Sequence, residues 1–71
     1  MSGYFLGIDI GAAASKAVVI DGQKKIMGAA VIPSGTNYAT TAAAVKAEAL
    51  KQAGLQLADI TSSAATGIGG R

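Results

Sequence analysis

The sequence predicts an α/β domain in which a three-stranded antiparallel meander is followed by a crossover helix and a fourth strand, in the order β-β-β-α-β. Three observations carry this prediction. Up to Ile32 the chain alternates short runs rich in Val, Ile and aromatic residues with small-residue or Asp-Gly breaks. Beyond Asn37 an alanine-rich stretch places Ala42, Val45, Ala49 and Ala53 at helical spacing on one face. After Gly54 a second run of small and β-branched residues follows, ending in glycines.

The first strand is expected over residues 4–10, "YFLGIDI". Its apolar residues are nearly continuous rather than alternating, which reads as burial on both faces. A small-residue turn over residues 11–15 leads to a second strand over residues 16–21. Asp21-Gly22 then signals a two-residue type I′ hairpin, which needs positive φ at both central positions. The third strand, residues 24–32, runs back antiparallel to the second and stops at Pro33-Ser34-Gly35. Thr36 or Asn37 caps the helix through a side-chain oxygen. Gly54 is placed to take the left-handed conformation that ends a helix, with Leu55 folding back onto it. One short turn is expected at residues 57–60, and the fourth strand over residues 62–66. Phe5 and Met27 are assigned to the core, whereas Thr40 and Thr41 are read as surface or cap residues.

The chain of 71 residues has room for one small domain. Its hydrophobic content is 51%, but much of that is alanine. The core is therefore thin, which implies a partner surface or a missing remainder of the domain. With no cysteine and no histidine, thiolate metal sites, the common zinc sites and histidine acid–base chemistry are excluded. Six basic and four acidic residues leave a net charge of +2. That is too weak and scattered for a nucleic-acid surface. Asp9, Lys16 and Asp21 interrupt the first apolar region, so no membrane span is expected. No basic region precedes that apolar run, so no signal peptide is read. The missing cysteines suit a cytoplasmic location.

The stretch "GIDIGAAASK", residues 7–16, carries the chemistry. A carboxylate near the end of a buried strand must be hydrogen-bonded, paired or close to a cation. After Asp9 comes a glycine-led turn whose backbone N–H groups can cradle an anion. The small side chains of Ala12, Ala13 and Ala14 allow close approach, and Lys16 supplies positive charge. Asp9 suits a hydrated Mg²⁺, a hard cation that prefers oxygen ligands and keeps its waters. A nucleotide phosphate tail with its metal satisfies both charges. The same letters also describe a plain hairpin in which Asp9 accepts turn N–H groups, and spacing alone leaves both readings open. Neither a Walker loop nor a Rossmann fingerprint is present.

The segment "GIDIGAAASKAVVIDG" resembles the first phosphate motif of the superfamily that unites acetate and sugar kinases, heat-shock chaperones and actin. It is most similar to the ATPases that activate 2-hydroxyacyl-CoA dehydratases and to the ATPase subunits of benzoyl-CoA reductase. That branch opens with Gly-Ile-Asp-x-Gly-Ser-Thr-x-Ser-Lys, matched here by Gly7, Ile8, Asp9, Gly11, Ser15 and Lys16. The tail "SSAATGIGGR" is similar to the branch's Ala-Thr-Gly-Tyr-Gly-Arg through Ala65, Thr66, Gly67, Gly69 or Gly70, and Arg71. The resemblance covers the whole chain but only about the first quarter of a family member.

It implies a ribonuclease H-like partial domain that binds ATP or ADP. Asp9 would hold Mg²⁺ through water, and Gly11, Ala12, Ala13, Ser15 and Lys16 would surround the phosphates. The parent protein would couple ATP hydrolysis to driving an electron into a CoA-dependent dehydratase or reductase. Ala12 and Ala13 stand where the family has phosphate-contacting hydroxyl residues, and Ile68 replaces its tyrosine. The family's second phosphate motif and adenosine motif are absent from this sequence. Lacking cysteine, the chain holds no iron–sulfur cluster of its own. Residues 1–71 are thus expected to be a single truncated N-terminal domain that does not hydrolyse ATP alone. The alternative is a non-catalytic module that self-associates as a homo-oligomer or docks onto a partner that completes its sheet.

Overall fold

The computed structural model describes residues 3–35 and 37–67. The elements run in the order β1 (Tyr4–Ile10), β2 (Ala14–Asp21), β3 (Ile26–Pro33), α1 (Tyr38–Ala53), a single 3₁₀ turn (Leu57–Asp59) and β4 (Ile60–Gly67). The strands form one sheet in the order β3-β2-β1-β4. β1 and β2 are antiparallel, as are β2 and β3, while β4 lies parallel to β1. A parallel neighbour requires a crossover, and α1 supplies it. The expected β-β-β-α-β architecture is the observed one.

Direct cross-strand partners share a face of the sheet, and successive residues alternate between faces. The register therefore sorts the side chains. Leu6, Val19 and Gly28 form one row across β1, β2 and β3, with Ile8, Ala17 and Ala30 beside it. This is the face that α1 covers, mostly over β3 and β2. Leu6, Ala17, Val19 and Ala30 are buried there against Val45, Ala49 and Leu50 of the helix. α1 fits closely because Gly28 has no side chain. A Cβ at that position would stand 2.5 Å from the Ala53 nitrogen and 2.7 Å from the Ala49 oxygen.

The opposite face carries Phe5, Gly7 and Asp9 from β1, aligned with Ile20, Val18 and Lys16 of β2. Nothing among the described residues covers it. Phe5 is 42% exposed, and Ile26 and Val31 more than 60%. The expectation that β1 is buried on both faces, with Phe5 in the core, is corrected. A continuous apolar strand is built for two covered faces, and the single helix covers one.

The caps at both ends of α1 follow the sequence. The Asn37 side chain accepts a hydrogen bond from the Thr40 N–H at 3.1 Å. Gly54 takes φ 73° and its N–H reaches the carbonyls of Leu50 and Lys51, while Leu55 packs back on the core. Thr36, the other candidate cap, lies outside the described residues. Thr41 is a correction. It is buried, donating its hydroxyl to the Asn37 carbonyl and accepting the Gly35 N–H. The β2–β3 connection is a second correction. Lys24, not Gly22, takes the positive φ of 67°. The Lys24 N–H bonds back to the Asp21 carbonyl, and the Asp21 carboxylate accepts the N–H groups of Gln23 and Lys25. That is a three-residue loop, a type I turn followed by a left-handed residue, rather than a two-residue type I′ turn.

Candidate functional site

The alternation of β1 decides where its carboxylate goes. Leu6, Ile8 and Ile10 occupy the helix-side phase, so Asp9 falls in the other phase, on the open face and exposed. Lys16 is its direct partner in β2, on the same face and also exposed. Both line a hollow of about 410 Å³ with Gly7, Val18, Val31 and Ala64. The acid near the end of β1 and its ladder partner near the start of β2 thus share one concavity, walled by small and aliphatic side chains.

Next to this pair lies the β1–β2 turn. Its first amide is used internally, since the Gly11 N–H donates to the Ala14 carbonyl at 3.0 Å. A Cβ on Gly11 would stand 2.7 Å from that same carbonyl oxygen, so the turn closes this tightly only with glycine. Among the described residues, the hydrogen bonds of the turn do not engage the N–H of Ala12 or Ala13. Both alanines are exposed, and their methyl groups leave the backbone accessible.

Ser15 goes the other way. It belongs to the helix-side phase with Ile10 and Ile32 and is fully buried. Its hydroxyl lies 2.6 Å from the Ser34 hydroxyl, which donates to the Gly11 carbonyl at 2.6 Å. Because the single Ser34 proton goes to that carbonyl, Ser15 is the donor between the two serines. The structure therefore gathers Asp9, Lys16 and the Ala12–Ala13 backbone at one hollow, and sets Ser15 behind the turn as a brace. Ser34 is a residue that sequence reasoning missed. It read only as part of the strand-stopping Pro-Ser-Gly, and a hydroxyl just past a strand end was the available signal.

The two sequence motifs also meet. In the parallel β1–β4 ladder Asp9 aligns with Thr66 and Ile10 with Gly67. The carboxyl ends of both parallel strands therefore lie side by side, the end at which open α/β sheets place their ligands. Gly69, Gly70 and Arg71 of the second motif lie outside the described residues. No cluster of three metal-ligating side chains exists among the described residues.

No family model matches the chain. Over 66 residues it is 41% identical to the activator of lactoyl-CoA dehydratase of Anaerotignum propionicum, covering 93% of this chain and 25% of that protein. It is 35% identical over 69 residues to the (R)-2-hydroxyglutaryl-CoA dehydratase activating ATPase of Acidaminococcus fermentans, covering 97% of this chain and 26% of the relative. The chain thus spans about a quarter of the length of the relatives it matches. The crystal structure of component A of the A. fermentans dehydratase superposes with a TM-score of 0.84 at 33% identity, over 94% of this chain and 26% of that one. The activator of 2-hydroxyisocaproyl-CoA dehydratase from Clostridium difficile, solved with bound ADPNP, gives a TM-score of 0.81 at 35% identity, over 93% of this chain and 24% of that one. In sequence and in fold alike, this chain is similar to activators of 2-hydroxyacyl-CoA dehydratases over about a quarter of their length.

Proposed function

We propose that residues 1–71 are the N-terminal, phosphate-binding domain of an ATP-dependent activator serving a 2-hydroxyacyl-CoA dehydratase or a related reductase. The observation that carries this reading is the placement of Asp9 and Lys16 across one ladder position, on one face, beside a turn with two exposed amides. One relative is named as an activating ATPase, and another was solved with a nucleotide analogue bound. The residues present fit a nucleotide with its metal. Asp9 would hold the water shell of a Mg²⁺, Lys16 would offset phosphate charge, and the Ala12 and Ala13 amides would donate to phosphate oxygens. Mg²⁺, when bound, neutralises charge on the phosphate chain. Alanine at positions 12 and 13 removes hydroxyl donors but leaves the backbone donors in place.

Phosphoryl transfer depends on positioning and charge stabilisation from several sides at once. This domain supplies one side, so it binds Mg·ATP weakly and does not hydrolyse it at a useful rate alone. Calorimetric titration with Mg·ADPNP tests the binding, and a turnover assay tests the second half of the reading. Wild-type chain that binds no better than Asp9→Ala would sink it, as would robust Asp9-dependent turnover.

A second reading is favoured by a separate observation. The exposure of Phe5, Ile26 and Val31 on one face is the surface of a sheet that lacks a covering layer. On this reading the chain is a non-catalytic module, and a second copy supplies that layer.

A further inference from the structure

We infer that Ser34 is the positioning residue of the phosphate turn, holding the peptide planes around Ala12 so that its N–H faces the hollow that contains Asp9 and Lys16. The inference rests on the nucleotide reading for its purpose, but not for its geometry.

Ser34 lies just beyond β3, on the segment that leads to α1, and it grips the β1–β2 turn twice. Its hydroxyl donates to the Gly11 carbonyl at 2.6 Å, and its backbone N–H donates to the Ala13 carbonyl at 3.1 Å. Ser15, buried on the helix side of the sheet, donates to the Ser34 hydroxyl and fixes its rotamer. The grip is itself anchored. The next amide, Gly35 N–H, donates to the Thr41 hydroxyl, and Thr41 donates to the Asn37 carbonyl in the first turn of α1.

In a trans peptide the carbonyl and the following N–H point in opposite directions. The described chain has no cis bond. Pinning the Gly11 carbonyl toward Ser34, on the Ser15 side, therefore aims the Ala12 N–H to the opposite side. That is the side on which Asp9 and Lys16 stand. Pinning the Ala13 carbonyl fixes the next plane but one, so the Ala12–Ala13 unit is held at both ends. With no hydroxyl side chains in the turn to supplement binding, amides already aimed at their target lower the ordering cost of capturing a phosphate. The turn's donors are thus set from outside the motif, by a residue about twenty positions downstream.

The test follows the Ala12 and Ala13 amides of the full chain by ¹H–¹⁵N NMR, with ¹⁵N relaxation and a titration with Mg·ADPNP. In Ser34→Ala the strand resonances should persist while the order of both amides falls. The affinity reported by the Ala12 amide should drop about tenfold or more, and Ser34→Thr should restore it. Ser15→Ala, which keeps the grip but frees the Ser34 rotamer, should give a smaller effect in the same direction, and it carries the test if Ser34→Ala does not fold. Unchanged order at Ala12 and Ala13 in folded Ser34→Ala overturns the inference. If those amides loosen on substitution but wild-type chain shows no response to Mg·ADPNP, the grip stands and the nucleotide reading falls.

Discussion

Asp9 stands directly across the β1–β2 ladder from Lys16, one step before the hairpin turn. Opposite charges at such a position support each other by roughly 0.2–1 kcal/mol. They also present an anchor for a cation and an anchor for an anion at one position of the ladder. The first prediction separates these roles.

Asp9→Asn keeps the shape and removes the charge. Because the side chain is exposed, stability should change by about 1 kcal/mol or less. Mg·ADPNP binding should fall at least tenfold in calorimetry, whereas a thermal melt without ligand should be nearly unchanged. A large loss of stability with binding intact would make Asp9 a structural residue.

Gly28→Ala should destabilise the fold by about 1–3 kcal/mol, because the added methyl meets helix backbone rather than a flexible side chain. For a domain of this size the melting temperature should drop by at least about 4 °C. Gly7→Ala is the control for a methyl added to a strand. Its nearest neighbour is the Val18 Cγ1 at 3.7 Å, an ordinary contact, so its cost should be clearly smaller in the same melt.

Thr41→Val preserves volume but removes a hydroxyl that both donates and accepts in a buried place. The exposed Gly35 N–H then loses its partner to solvent, at a net cost of about 0.5–1.5 kcal/mol. Urea denaturation should show a lower midpoint with an unchanged slope. Thr40→Val, on the exposed side of the same helical turn, should stay close to wild type.

Val31→Lys places a charge on the open apolar face without touching the core, since Val31 is 62% exposed. If a second copy covers that face, sedimentation velocity should show wild-type chain associating with concentration and Val31→Lys remaining monomeric. Identical monomeric behaviour of both removes the self-association reading.

Much of this arrangement was legible in the sequence because several local signals agreed. The bounds of β1, the Asn37 cap, the Gly54 stop and the crossover to β4 each rest on residue types with one strong conformational preference. The failures share a different cause, since each depends on what lies across from a residue rather than beside it. Asp21-Gly22 favours a tight turn, but the carboxylate of Asp21 captures two later amides and moves the positive φ to Lys24. Ser15 stands at a matching motif position, yet strand alternation sends its hydroxyl behind the turn toward Ser34. Phe5 has the composition of a core residue, but there is no second layer among the described residues to bury it. Gly28 was passed over, although an isolated glycine inside a strand signals close approach by another backbone.

β1 has neighbours along both of its edges, β2 on one side and β4 on the other. Amides in such an interior strand exchange with solvent only through the largest openings of a fold. The carboxylate is therefore mounted on an interior strand, while the Ala12 and Ala13 amides lie just outside its ladder. A ligand held by the turn amides should slow deuterium uptake at residues 12 and 13 long before it alters uptake in β1.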